Sequence, residues 1–149
     1  MNLKIKKLEL LLESILYEYF LRPNTSFYIL YEIKDDRKVY IDYKTNVDSS
    51  IDNFQYKKVT CLQFIWILIC LINKEKSLET KVVIYHMCLN KITAYKLAQL
   101  LNISKQMISQ CLNGSRKFSQ TRLEEIAVIL NFSLDEYKKI EADYVIDEE

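Results

Sequence analysis

One glycine, Gly114, and one proline, Pro23, serve a chain of 149 residues. Tight turns depend on those two residue types, so this chain reads as mostly helical with few sharp reversals. Histidine also occurs once, as His86, and the four cysteines lack CxxC spacing, which argues against a zinc framework. Cys61, Cys70, Cys88 and Cys111 stand in apolar helical surroundings and read as reduced, buried small hydrophobes of a cytoplasmic protein. There is no leader-type N-terminal pattern, no glycine-rich phosphate loop and no Ser/His/Asp set. No metal and no cofactor are expected. The longest apolar run, CLQFIWILICLI, is too short to cross a bilayer and reads as a helix buried on nearly all sides, so no membrane contact is expected. Acids are missing too, but only locally: no Asp or Glu occurs between Glu79 and Glu124.

Half of the residues are apolar, enough to bury a core for one domain or two small ones. The net charge of +1 conceals a division. The acid-free interval carries Lys81, Lys91, Lys96, Lys105, Arg116, Lys117 and Arg122, while the stretch from Glu124 onward holds nine acids and two bases. A polyanion responds to local rather than total charge, so this interval is the candidate nucleic-acid surface.

Leu3 to Leu21 has helical periodicity, with Leu8, Leu12, Ile15, Leu16, Tyr19 and Phe20 on one side, and Pro23 ends it. Ser26 to Tyr43 alternates as a hairpin. Placing its apolar sets on one face requires Ile33 opposite Val39 and Tyr31 opposite Ile41, hence an odd-length loop, either Asp35–Arg37 or Lys34–Lys38. Thr45 to Asn53 reads as a loop, Lys57 to Lys74 as the apolar helix, and Asn73 to Glu79 as a charged connection that marks a domain boundary.

Thr93 to Lys117, TAYKLAQLLNISKQMISQCLNGSRK, is the most informative stretch. Leu97, Ala98 and Leu101 give one apolar helical face. Asn102 stands where a turn needs positive φ, a conformation that Asn tolerates better than most residues. Ser104 caps a second helix whose inner side is Met107 or Ile108, then Cys111 and Leu112. Ala98 is small where two crossing helices must nearly touch, Ile108 is placed to pack back on the first helix, and Asn113-Gly114 ends the second. The first helix of this region spans Ser77 to Leu89. A fourth opens at Gln120 or Thr121, with Leu123, Ile126, Ala127 and Leu130 inward and Asn131 closing it. A fifth follows from Ser133 through Leu134, Tyr137 and Ile140.

This run resembles the Cro/C1-type (XRE) helix-turn-helix regulators, over roughly Ser77 to Tyr137. Asn102 replaces the family's usual Gly, and the module closes this chain where it commonly opens one. The resulting fold class is mainly α with a small antiparallel β-hairpin. An N-terminal α-ββ-α segment, residues 1–76, precedes a five-helix lambda-repressor-like DNA-binding domain, residues 77–149, with an acidic tail. Ala98, Asn102, Ser104, Ile108 and Gly114 would be its structural positions.

On the outer face of the second helix, Gln106 and Gln110 can pair with adenine and Lys105 with guanine, with Ser109 beside them. The resemblance assigns base reading to the same four positions. Thr93, Tyr95, Asn113, Ser115, Arg116 and Lys117 would hold phosphates. The resemblance implies a repressor of phage or bacterial type that binds double-stranded DNA as a homodimer on inverted half-sites. The composition of residues 1–76, a Leu-rich first helix and a tyrosine-rich hairpin, makes that segment the expected place where the copies pair. An alternative of similar plan is a phage-type, anti-CRISPR-like inhibitor. Its front segment would bind a host protein while the module autoregulates its promoter. Glu32-Ile33-Lys34, with Asp42, has the form of the ExK element of metal-dependent nucleases. The flanking Asp that element requires is not evident, so the chain is expected not to be an enzyme.

Overall fold

The computed structural model describes residues 2–137 and 144–146. The chain divides into two compact units, Met1–Ile72 with Ala142–Glu149, and Asn73–Glu141.

In the first unit, helix α1 (Leu3–Leu21) opens at Asn2, whose side-chain oxygen accepts the Lys4 and Ile5 N–H groups at 2.9 and 3.3 Å. Pro23 disfavours helical backbone at Arg22, which leaves the helix at φ −142°. The Arg22 guanidinium folds back to donate two hydrogen bonds to Glu18, at 2.7 and 2.9 Å. Leu8 and Ile15 are buried, whereas Phe20, read as part of the same stripe, is exposed. Strands β1 (Ser26–Lys34), β2 (Arg37–Lys44), β3 (Gln55–Thr60) and β4 (Tyr144–Val145) form one sheet in the order β3-β1-β2-β4. β1 pairs antiparallel with β2 and β3, and β4 runs parallel to β2. Helix α2 (Cys61–Ile72) follows β3 without a break and is the unit's core element, with Phe64, Ile65, Leu68 and Ile69 fully buried. The Phe64 ring lies 5.2 Å from Phe27 on β1 and 5.4 Å from Tyr43 on β2. α1 packs along α2, where the Cys61 thiol lies 3.7 Å from the Ile15 carbonyl.

The hairpin corrects the expected register. Its loop is the two-residue Asp35-Asp36 turn, with φ of +54° and +62°, the positive-φ pair that matches the twist of flanking strands. Glu32 therefore faces Val39, the frame that puts the apolar sets on opposite faces. A bulge resolves the conflict: Tyr31 pairs with Tyr40 and Leu30 with Asp42, so Ile41 is an extra residue. Past it, Ile29 faces Tyr43 and the core face is continuous with Phe27 opposite Val59. Ile33 and Ile41 are left exposed.

Two further expectations are corrected. Gln55–Thr60 is strand, so the helix expected from Lys57 begins only at Cys61. As a sheet edge it buries only Val59, so its polar sequence lacks a strand's usual apolar signature. The division between units falls after Ile72 rather than Lys76, and Tyr144–Val145 belongs to the first unit's sheet rather than to the second unit, where residues 77–149 were expected together. Ring packing accounts for this return. Tyr144 lies 5.8 Å from the Tyr31 ring, and the Lys38 ammonium stands 5.6 Å from both ring centres.

The second unit contains α3 (Leu78–Leu89), α4 (Ala94–Leu101), α5 (Lys105–Asn113), α6 (Gln120–Leu130) and α7 (Leu134–Tyr137). Its core is Val83, Met87, Leu97, Ala98, Leu101, Ile108, Leu123, Ile126 and Leu130. Ile140, expected to continue α7, lies outside the described residues. Ser77, Thr93, Ser104 and Ser119 cap the first four helices, each accepting an N–H three residues on at 3.1–3.2 Å. Ser119 thus opens α6, one residue before the expected start.

Candidate nucleic-acid interface

Three helices of the second unit end in the same way. After α3, α4 and α6 come Lys91, Asn102 and Asn131 with φ of +54°, +55° and +58°. The next residue, Ile92, Ile103 or Phe132, donates its N–H to a carbonyl five positions back, Met87, Ala98 or Ala127, at 2.9–3.0 Å. Each of these apolar residues packs against the core, the hydrophobic contact that accompanies a Schellman closure. α4 is therefore held at both ends, and its turn into α5 is short because Asn102 reverses the chain and Ile103 anchors it.

Ala98 and Ile108 are both buried in the core beneath this turn, 3% and 0% exposed, and α4 and α5 pack directly. Cys111 lies on the same inner side of α5. Burial raises its thiol pKa, against the opposing pull of Arg116 and Arg122, so it packs as a neutral side chain. Helical spacing then puts Gln106, Ser109, Gln110 and Asn113 on the side of α5 away from Ile108, with Lys105 at its border. Lys105 and Gln106 are exposed, and Ser109 and Gln110 are half-buried.

α5 ends differently from its neighbours. Gly114 takes φ +91°, outside the range the three other closing residues use, and the Arg116 N–H reaches back six positions to the Gln110 carbonyl at 3.1 Å. Instead of turning inward, Ser115, Arg116 and Lys117 stay exposed and extend the α5 row. Asn113, assigned from the sequence to phosphate contact, accepts hydrogen bonds from the backbone N–H and hydroxyl of Ser115. Those two side chains shape the bend that presents Arg116 and Lys117. Thr93 and Tyr95, at the start of α4, are exposed. Arg122 is half-buried, 3.5 Å from Glu125, which removes it from the open cationic set. Lys96, exposed on α4, joins that set and was missed as a site residue because the motif alone does not distinguish it.

The assembled surface joins one helix's exposed polar face to a cationic exit loop, free of carboxylates from residue 80 to 123. It can offer amide and hydroxyl groups to base edges and cations to phosphates. Among the described residues, no group of three or more His, Cys, Asp or Glu side chains is placed to hold a metal ion, and no helix is long and apolar enough to cross a membrane.

Two short helices locked across a left-handed turn, the second with an open polar face, define a helix-turn-helix. Residues 87–137, about a third of the chain, match a family model described as helix-turn-helix. The C-terminal module is a Cro/C1-type (XRE) helix-turn-helix, the DNA-binding module of transcription regulators. No curated protein and no solved structure matches the chain.

Proposed function

We propose that this chain is a non-catalytic, sequence-specific transcriptional repressor that occupies an operator of inverted half-sites as a homodimer. The observation that carries the reading is the row along α5, Lys105, Gln106, Ser109 and Gln110, running into Arg116 and Lys117 within a sequence interval without acids. With α5 in the major groove, Gln106 and Gln110 read adenine and Lys105 reads guanine. Thr93 and Tyr95 at the start of α4, with Arg116 and Lys117 beyond α5, fix the module on the backbone.

Selection from a random duplex pool, followed by titration of two variants, tests this. Gln106→Ala should relax preference at one base pair of each half-site, with about 1–3 kcal/mol lost on the preferred sequence. Lys117→Ala should weaken every sequence alike and lower the magnitude of the salt slope by about one. Selection that returns no sequence preference, or variants that bind all duplexes as the parent does, would refute the operator reading.

A further inference from the structure

α1 carries a second apolar row, on the side opposite its buried residues. Leu3, Leu10, Tyr17 and Leu21 are 72, 52, 68 and 55% exposed, while Leu8 and Ile15 across the helix are buried. Spacings of seven, seven and four align the four in one line along a 19-residue helix. Single exposed leucines are ordinary; four large apolar side chains aligned on one exposed side of a helix make a contact surface.

We propose that this seam pairs with the same helix of a second copy, antiparallel and centred on Leu10. The charges beside the row select that occupant. Lys6 and Glu13 border the row on the same flank, and Lys7 and Glu18 border the other. In an antiparallel pair centred on Leu10, that residue meets its own copy and Leu3 meets the partner's Tyr17. Lys6 then meets the partner's Glu13, and two-fold symmetry repeats the ion pair. A parallel pair would instead set Glu13 beside the partner's Glu18, which its own Arg22 already holds, and would leave Lys6 without Glu13 as a partner. Because the surface is self-complementary, it closes at two copies and does not propagate. The pairing supplies the contact for the homodimer read above, and in that respect it rests on that reading. The surface itself shares no residue with the duplex-facing row.

Sedimentation of the full chain across micromolar concentrations tests it, with circular dichroism reporting that each variant keeps its fold. The parent should dimerise. Leu10→Glu should weaken the dimer by about tenfold or more, because a carboxylate then faces its own copy at the centre. Lys6→Glu should weaken it about threefold, and adding Glu13→Lys should restore parental association. A parent that stays monomeric, or a dimer that Leu10→Glu leaves intact, overturns the proposal. A dimer that Leu10→Glu weakens but the paired charge reversal does not restore overturns the antiparallel arrangement. Affinity for a single half-site should match the parent in every variant. A parent that dimerises through α1 yet binds no duplex would instead refute the operator reading and leave the pairing standing.

Discussion

Asp35, Asp36, Lys91, Asn102 and Asn131 adopt left-handed backbone in a chain with a single glycine. Four of them are Asn or Asp, whose short polar side chains make that conformation cheap; Lys91 is a long side chain in the same conformation. Lys91→Gly should therefore stabilise the second unit by about 1 kcal/mol, read as a rise of a few degrees in its thermal midpoint. Gly114 is the converse case. A Cβ there would meet only the Lys76 side chain, 3.8 Å away, so space is not what excludes a side chain; the φ of +91° is. Gly114→Ala should cost about 1–2 kcal/mol and lower the midpoint. An unchanged midpoint would mean that the exit loop adapts at no cost. His86 belongs to the same scale. It stacks on Phe132 at 4.3 Å, and burial lowers its pKa from 6.5 to about 4. Between those values the unfolded chain binds a proton that the folded chain resists, so stability is full above pH 6.5 and falls as pH drops toward 4. His86→Phe keeps a stacked ring and should remove that acid slope from thermal midpoints measured across the range.

At the level of elements, the module was legible because its determinants are local. Ser77, Thr93 and Ser104 cap helices within three residues, and apolar faces such as Leu97-Ala98-Leu101 recur at helical spacing. Ser119 was passed over in favour of Gln120 and Thr121, although a hydroxyl three residues before Arg122 is the same signal. The first unit was legible only in part, because its pairing is set at a distance. The extra residue at Ile41 is invisible to an alternation count, β3 shows one buried residue in six, and β4 is two residues long. Pairing rules out the odd loop, and the bulge then becomes a requirement. Deleting Ile41 removes the extra residue and should leave a regular ladder, with Tyr40 still opposite Tyr31 and Tyr43 still opposite Ile29 on the core face. The first unit should therefore keep cooperative unfolding in denaturant. A deletion variant that loses it would show that the bulge does more than restore the frame. The corresponding element test in the module is Ala98→Leu. Enlarging a 3% exposed contact beneath the turn should cost about 1–3 kcal/mol and reduce half-site affinity by misplacing α5.

Across the whole molecule, charge and chain path are both divided. The acid-free interval holds all the cations of the proposed interface, and the net charge of −7 that follows it brings the total near neutrality. Binding should therefore fall steeply with salt despite a balanced composition, since phosphate neutralisation is local. In sequence order the DNA-binding unit lies between two parts of the first, because Tyr144–Val145 returns to the sheet beside β2. That return is held by a two-residue ladder, too short to persist on backbone hydrogen bonds alone. Its stability must come from the Tyr144 ring, 8% exposed, packed on Tyr31 with Lys38 between them. Tyr144→Ala removes that ring and should cost the first unit about 3 kcal/mol. Trp66, the single tryptophan and a buried member of α2, reports the loss as a lower denaturant midpoint in its fluorescence. Affinity for a single half-site should persist, since none of its contacts lies in that sheet. A Trp66 transition that does not move would mean that β4 adds nothing to the sheet it joins.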